Sequence, residues 1–142
     1  MTGSPQQRLA AIALLVDDYD RTIAYYTGVL GFRLIEDTPQ SPTKRFVRVA
    51  PPHGPTGSPN GGDGQTTLLL AKAANPGQAA RIGDQTGGRV FLFLDTDDFW
   101  RDYAAYKARG VDFTEAPREE SYGTVVVFRD IYGNKWDLVQ HR

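Results

Sequence analysis

Tyr122-Gly-Thr-Val-Val-Val-Phe-Arg-Asp-Ile-Tyr-Gly-Asn-Lys-Trp-Asp-Leu-Val-Gln140 is the most informative stretch of this 142-residue chain. Thr124 to Arg129 and Lys135 to Gln140 are β-branched and aromatic runs, and the residues between them include Gly133-Asn134, a pair that tolerates the positive φ of a hairpin loop. The reading is two antiparallel strands. Side chains alternate along a strand, so Trp136 and Leu138 share one face, while Lys135, Asp137 and Val139 share the other. A helix covering the Trp136 face leaves Asp137 on an open face. There a carboxylate needs solvent, a donor, a cation or a ligand.

Working outward, the chain is long enough for one domain, or for two small halves sharing a core. The absence of cysteine removes disulfides, thiolate nucleophiles and Cys-containing zinc sites. Sixteen basic and seventeen acidic residues, spread without long like-charge blocks, leave no electrostatic footprint for nucleic acid or an anionic membrane. The early apolar stretch Ala10 to Val16 is too short for a membrane span and lacks signal-peptide flanks. A cytoplasmic protein with a small-molecule partner is expected.

Residues 1–7 read as a loose arm, followed by strands at Arg8 to Val16, Phe32 to Asp37, Arg45 to Ala50 and Thr66 to Ala71. Asp17 to Asp20 open a helix whose buried stripe is expected to be Ile23, Tyr26 and Leu30, ending at Gly31. Between the third and fourth strands lies Pro51 to Gly64, where nine of fourteen residues are Pro or Gly. It is expected to be a mobile surface loop, either a lid over a pocket or a tolerated insertion. Asn75-Pro76 opens a connecting helix, assigned to 75–86.

The second half repeats the first. Arg89 to Leu94 is a strand, Asp95 to Asp98 an acidic helix start, Phe99, Tyr103 and Tyr106 a buried stripe, and Asp112 to Ala116 a strand before the hairpin. Val16-Asp-Asp-Tyr matches Thr96-Asp-Asp-Phe, and Leu30-Gly-Phe matches Arg109-Gly-Val, at offsets of eighty and seventy-nine residues. Each half then reads as β-α-β-β-β, with a helix on one face of its sheet. The paired acids Asp17-Asp18 and Asp97-Asp98 fit helix capping better than a carboxylate cluster, and Tyr25-Tyr26 and Phe99-Trp100 are expected in the core.

Val16-Asp-Asp-Tyr-Asp-Arg-Thr-Ile-Ala-Tyr-Tyr-Thr-Gly-Val-Leu-Gly-Phe32 and Phe128-Arg-Asp-Ile-Tyr-Gly-Asn-Lys-Trp-Asp-Leu138 resemble the opening and closing signatures of the vicinal oxygen chelate superfamily, which holds glyoxalase I, bleomycin resistance proteins and extradiol dioxygenases. The resemblance runs from about Arg8 to Gln140. It implies an α+β fold in which two βαβββ modules, 8–73 and 89–140, form a cupped eight-stranded mixed sheet within one domain, 8–140, commonly as a homodimer.

In metal-dependent members of that superfamily, four strands each supply one ligand. Carried onto this chain, the first position falls at or beside Ala11, the second within Gln65 to Lys72, the third at or beside Phe91, and only the fourth is a ligand type, Asp137. One carboxylate does not hold a divalent cation that needs three or more protein donors. His53 lies in the Pro/Gly-rich loop and His141 is next to last, so neither is expected to complete the set. The expectation is therefore no metal and no cofactor. The expected ligand cup is lined by Ala11, Ala13, Phe91 and Phe93, with Asp137 as its acid and Arg48 and Tyr122 as polar contacts.

The function so implied is metal-independent binding of a small organic molecule in an apolar and aromatic cup. Two other classes stay open. One is a glyoxalase-like or dioxygenase-like enzyme that holds a metal through substituted ligands or uses Asp137 as a general base; the other is a non-catalytic interaction module.

Overall fold

A computed structural model describes residues 3–53 and 65–142. The chain folds as two compact units, 1–72 and 73–142. Most of the Pro51 to Gly64 stretch, whose mobility and role as a lid were raised above, lies outside the described residues.

The first unit contains β1 (Ala11–Val16), α1 (Tyr19–Gly28), β2 (Arg33–Pro39), β3 (Arg45–Ala50) and β4 (Thr67–Lys72). Its sheet runs β1-β4-β3-β2, with β1 parallel to β4 and the remaining pairs antiparallel. The expected first strand began at Arg8, but the ladder opens only at Ala11. Just before it, Thr66 Oγ1 and Thr67 Oγ1 donate to the carbonyls of Leu9 and Ala10, at 2.7 and 3.2 Å, and Leu9 stays exposed. Register places Leu14, Val47, Val49, Leu68 and Leu70 on one face, all buried, and α1 packs against β2, β3 and β4.

The helix begins where the acids indicated. Asp18 is the N-cap and accepts the Arg21 N–H at 2.9 Å, while Asp17 pairs with Arg21 at 3.3 Å. The buried stripe is Tyr19, Thr22 and Tyr26 rather than Ile23, Tyr26 and Leu30. Hydropathy hid Thr22, whose hydroxyl is satisfied inside the helix by the Asp18 carbonyl at 2.7 Å and so can be buried. Leu30 is buried too, but beyond the helix end.

The second unit opens with α2 (Pro76–Ala79), four residues long and capped by Asn75 Oδ1 accepting from Gln78 N at 2.8 Å. Turns, rather than the rest of a helix to 86, carry the chain to β5. Then come β5 (Val90–Asp95), α3 (Phe99–Ala108), β6 (Asp112–Phe113), β7 (Arg118–Glu120), β8 (Gly123–Arg129) and β9 (Lys135–His141). The strand order is β5-β9-β8-β6, and β7 also pairs with β8. Of the strand expected at Asp112 to Ala116, only Asp112–Phe113 forms, and a second short strand that was not expected, Arg118–Glu120, pairs with the same partner. Pro117, which has no N–H to donate, sits in the gap.

Duplication extends to side-chain detail. Asp98 caps α3 at Arg101 N, 3.1 Å, and Asp97 pairs with Arg101 at 2.8 Å, eighty residues after Asp18, Asp17 and Arg21. Tyr26 and Tyr106 are buried at the same offset, and Gly31 and Gly110 leave their helices at φ of 75° and 83°. The first unit is therefore a βαβββ module and the second repeats it with the short strands β6 and β7 in place of one, which makes the protein α+β with two mixed sheets. Asp18 and Asp98 are the helix caps, as expected, and Asp17 and Asp97 are ion-paired beside them with Arg21 and Arg101. The aromatic pairs are only half core: Tyr26 and Phe99 are fully buried, whereas Trp100 is 56% exposed.

In the second unit, Phe128 stacks on Trp136 at 5.9 Å and meets Tyr106 of α3 edge-on at 5.6 Å, so this face of the sheet carries the core. Gln140 ties the start of α3 to the end of β9, accepting Phe99 N at 2.8 Å and donating to Asp97 O at 3.0 Å. No helix among the described residues is long and apolar enough to cross a membrane.

Candidate functional site

The two sheets divide the expected lining residues between them. In the first unit, Ala13 pairs with Leu69, Leu69 with Arg48, and Arg48 with Glu36, so one row crosses the sheet on the face opposite the α1 core. Ala11 lies on that face beside Thr67. Arg48 donates through Nε and Nη2 to Glu36 Oε1 at 3.3 and 3.2 Å. Its charge is answered within its own sheet.

In the second unit, the corresponding row is Phe93, Asp137 and Val127, joined by β5–β9 and β9–β8 register. The parallel ladder shifts between Val90 and Leu92, which makes Phe91 the irregular residue. Strict alternation from Phe91 therefore does not hold. Phe93 is the aromatic residue beside Asp137, and it is 67% exposed. Tyr122 lies in the β7–β8 turn, 44% exposed, with its ring 6.1 Å from that of His141.

Asp137 is half-buried, and its Oδ1 is shielded from solvent with no hydrogen-bond partner among the described residues. Burial raises its carboxyl above the ordinary aspartate range, Arg118 opposes this, and the like charge of Glu115 adds to it. Glu115 lies past the end of β6, within the stretch expected to be strand to Ala116, and Arg118 opens β7, which was not expected as a strand. With the strand broken, Glu115 Oε2 accepts the Val127 N–H at 3.2 Å and the Arg118 Nε–H at 2.9 Å. Arg118 Nη1 lies 3.4 Å from Glu120. Sequence reading missed Glu115 and Arg118 because their placement depends on where β7 restarts, and Pro117 was the available signal.

The residues do not fit a divalent metal. In the second unit, Asp137 has the apolar Phe93 and Val127 as its register partners. Among the described residues, no group of three or more His, Asp or Glu converges.

Comparison with known proteins decides the family. The profile described as the glyoxalase/bleomycin resistance protein/dioxygenase superfamily matches residues 8–138. The chain belongs to this superfamily. Its relatives include an uncharacterised protein of Shewanella frigidimarina (strain NCIMB 400), 51% identical over 136 residues that cover 95% of this chain and 94% of the relative. Among solved structures, the superfamily fold is shared with UcmS2 at a TM-score of 0.75 and 26% identity, covering 95% of this chain and 98% of that one. It is also shared with TnmS3, an antibiotic binding protein from Streptomyces sp. CB03234, at a TM-score of 0.73 and 26% identity, covering 99% and 100%. Membership in the glyoxalase/bleomycin resistance/dioxygenase superfamily spans chemistries as different as isomerisation and simple binding. The choice among them rests on the site.

Proposed function

We propose that this protein binds a small organic molecule on the face of its second sheet that carries Asp137, without a metal and without chemistry on the ligand. The observation that carries the reading is Phe93 and Asp137 side by side: a largely exposed aromatic ring next to a carboxylate with a shielded, unpartnered acceptor. An exposed ring and an unsatisfied acceptor both cost stability in the free protein, and a ligand with an apolar body and a polar edge removes both costs. Similarity to an antibiotic binding protein over nearly the full chain supports the reading. The surroundings of Asp137, where no three His, Asp or Glu converge among the described residues, support its metal independence.

Screening by thermal shift tests this. A polycyclic aromatic ligand at one hundred times its Kd adds about 2.7 kcal/mol of apparent stability. That corresponds to a rise in Tm of several degrees. Zinc, nickel or manganese alone is expected to produce none. A metal-dependent rise with no organic ligand able to reproduce it would count for the enzyme.

Asp137 also predicts a pH effect. Its folded carboxyl titrates above its unfolded value, so ionisation opposes folding, and the cost grows as pH rises through the ordinary aspartate range to the raised value. Asp137→Asn is therefore expected to raise Tm at neutral pH, with the gain shrinking as pH falls and vanishing below the unfolded pKa. Equal Tm values for the two proteins across that range would show that Asp137 sits unstrained in solvent.

We further read the protein as a cytoplasmic homodimer. Among the described residues, each sheet ends on strands paired on one side only, β1 and β2 in one and β5, β6 and β7 in the other, and edges of this kind are commonly covered by association. Sedimentation at high micromolar concentration is expected to give twice the mass of one chain. A single-chain mass there would remove this part of the reading.

A further inference from the structure

Arg118 is the register partner of Val125, two residues along β8 from the partner of Asp137, and its charge acts on Asp137 without a hydrogen bond to Oδ1. Its guanidinium is directed elsewhere, with Nε on Glu115 at 2.9 Å and Nη1 3.4 Å from Glu120. Glu115 is itself anchored, because its Oε2 occupies the ladder position at Val127 N, and Val127 is the register partner of Asp137. The other charges on neighbouring strands are also committed. Lys135 donates to Gly88 O at 3.2 Å, Arg129 pairs with Asp112 at 3.3 Å, and Asp95 pairs with His141 at 3.3 Å.

We propose that Glu115 is a specificity-determining residue, which holds Arg118 off Asp137 and so keeps the half-buried Asp137 carboxylate unpaired for a ligand that brings its own hydrogen-bond donor, a hydroxyl or N–H on an aromatic body. This rests on the binding function proposed above and names the ligand class. A guanidinium close to an unpartnered carboxylate would ordinarily close on it in a two-pronged pair. Two competing carboxylates prevent that here. Three acids then share one guanidinium, and the acid left over is the one beside the exposed ring.

The test has two arms. In the first, Asp137 is followed by carboxyl-carbon NMR titration in the wild type, Glu115→Gln, Arg118→Gln and the double variant. Glutamine retains an oxygen for Val127 N, so the strand is expected to survive, and circular dichroism checks it. Glu115→Gln is expected to lower the Asp137 pKa by more when Arg118 is present than when it is absent, because only then can the freed guanidinium capture the carboxylate. Equal lowering in both backgrounds would mean that Glu115 acts only as a like charge, and would overturn the proposal.

In the second arm, 2-naphthol and 2-methoxynaphthalene are titrated into the wild type and Glu115→Gln by calorimetry. The wild type is expected to bind the naphthol about tenfold or more tightly than the ether, and Glu115→Gln to reduce that preference to within about threefold. Equal affinities in the wild type would overturn the ligand class while leaving the binding function in place. Failure of both compounds to bind would overturn the binding function itself, and the NMR arm would still decide what Glu115 does.

Discussion

Replacing Phe128 with alanine is expected to destabilise the protein by about 3–5 kcal/mol, the largest loss from any single truncation considered. Phe128 is fully buried and occupies the centre of the aromatic core of the second unit. It stacks on Trp136 at 5.9 Å and meets Tyr106 and Phe113 at 5.6 and 6.3 Å, which joins α3, β6, β8 and β9 at one ring. The cavity left by the ring has rigid walls on every side and cannot collapse cheaply. Urea unfolding with an unchanged m-value measures the effect. A loss below about 1 kcal/mol would contradict this account of the core.

Asp130→Ala is expected to cost nearly as much, about 3 kcal/mol or more, through a different cause. Asp130 is buried in the hairpin loop, where Oδ1 accepts the N–H groups of Tyr132 and Asn134, both at 2.9 Å, and Oδ2 accepts Asn134 Nδ2 at 3.0 Å. Alanine leaves those donors in place without an acceptor, and Asn134 is itself buried. The same loop needs Gly133 at φ 98°, a conformation other residues rarely adopt. Because this loop sets the β8–β9 register, its loss is expected to displace Asp137 from Phe93 and Val127. Faster amide exchange in both strands reports it, and unchanged exchange would show that the loop is dispensable.

How legible the molecule was depends on whether a feature is written in local order. The hairpin, both helix caps and the duplication were readable, because alternation, capping acids and Gly positions act over a few residues. Asp137 and its face followed from counting along one strand. Thr22 in the α1 core was not readable, since its burial depends on a hydroxyl satisfied by Asp18 O. The bulge at Phe91 was also invisible: it arises from pairing with β9, and it makes Phe93 rather than Leu92 the register partner of Asp137. Glu115 and Arg118 were missed for a related reason. A strand interrupted at Pro117 puts its acid on the neighbouring ladder, and only the pairing with β8 reveals that.

The central claim is that the Asp137 face binds an organic ligand without a metal, and calorimetry on protein stripped with chelator tests it most directly. Stripped wild type is expected to bind 2-naphthol as tightly as untreated protein, and Asp137→Leu, which removes the acceptor while keeping the branching at Cγ, to bind about tenfold or more weakly. Binding that disappears with the chelator and returns with one equivalent of zinc, nickel or manganese would contradict the account.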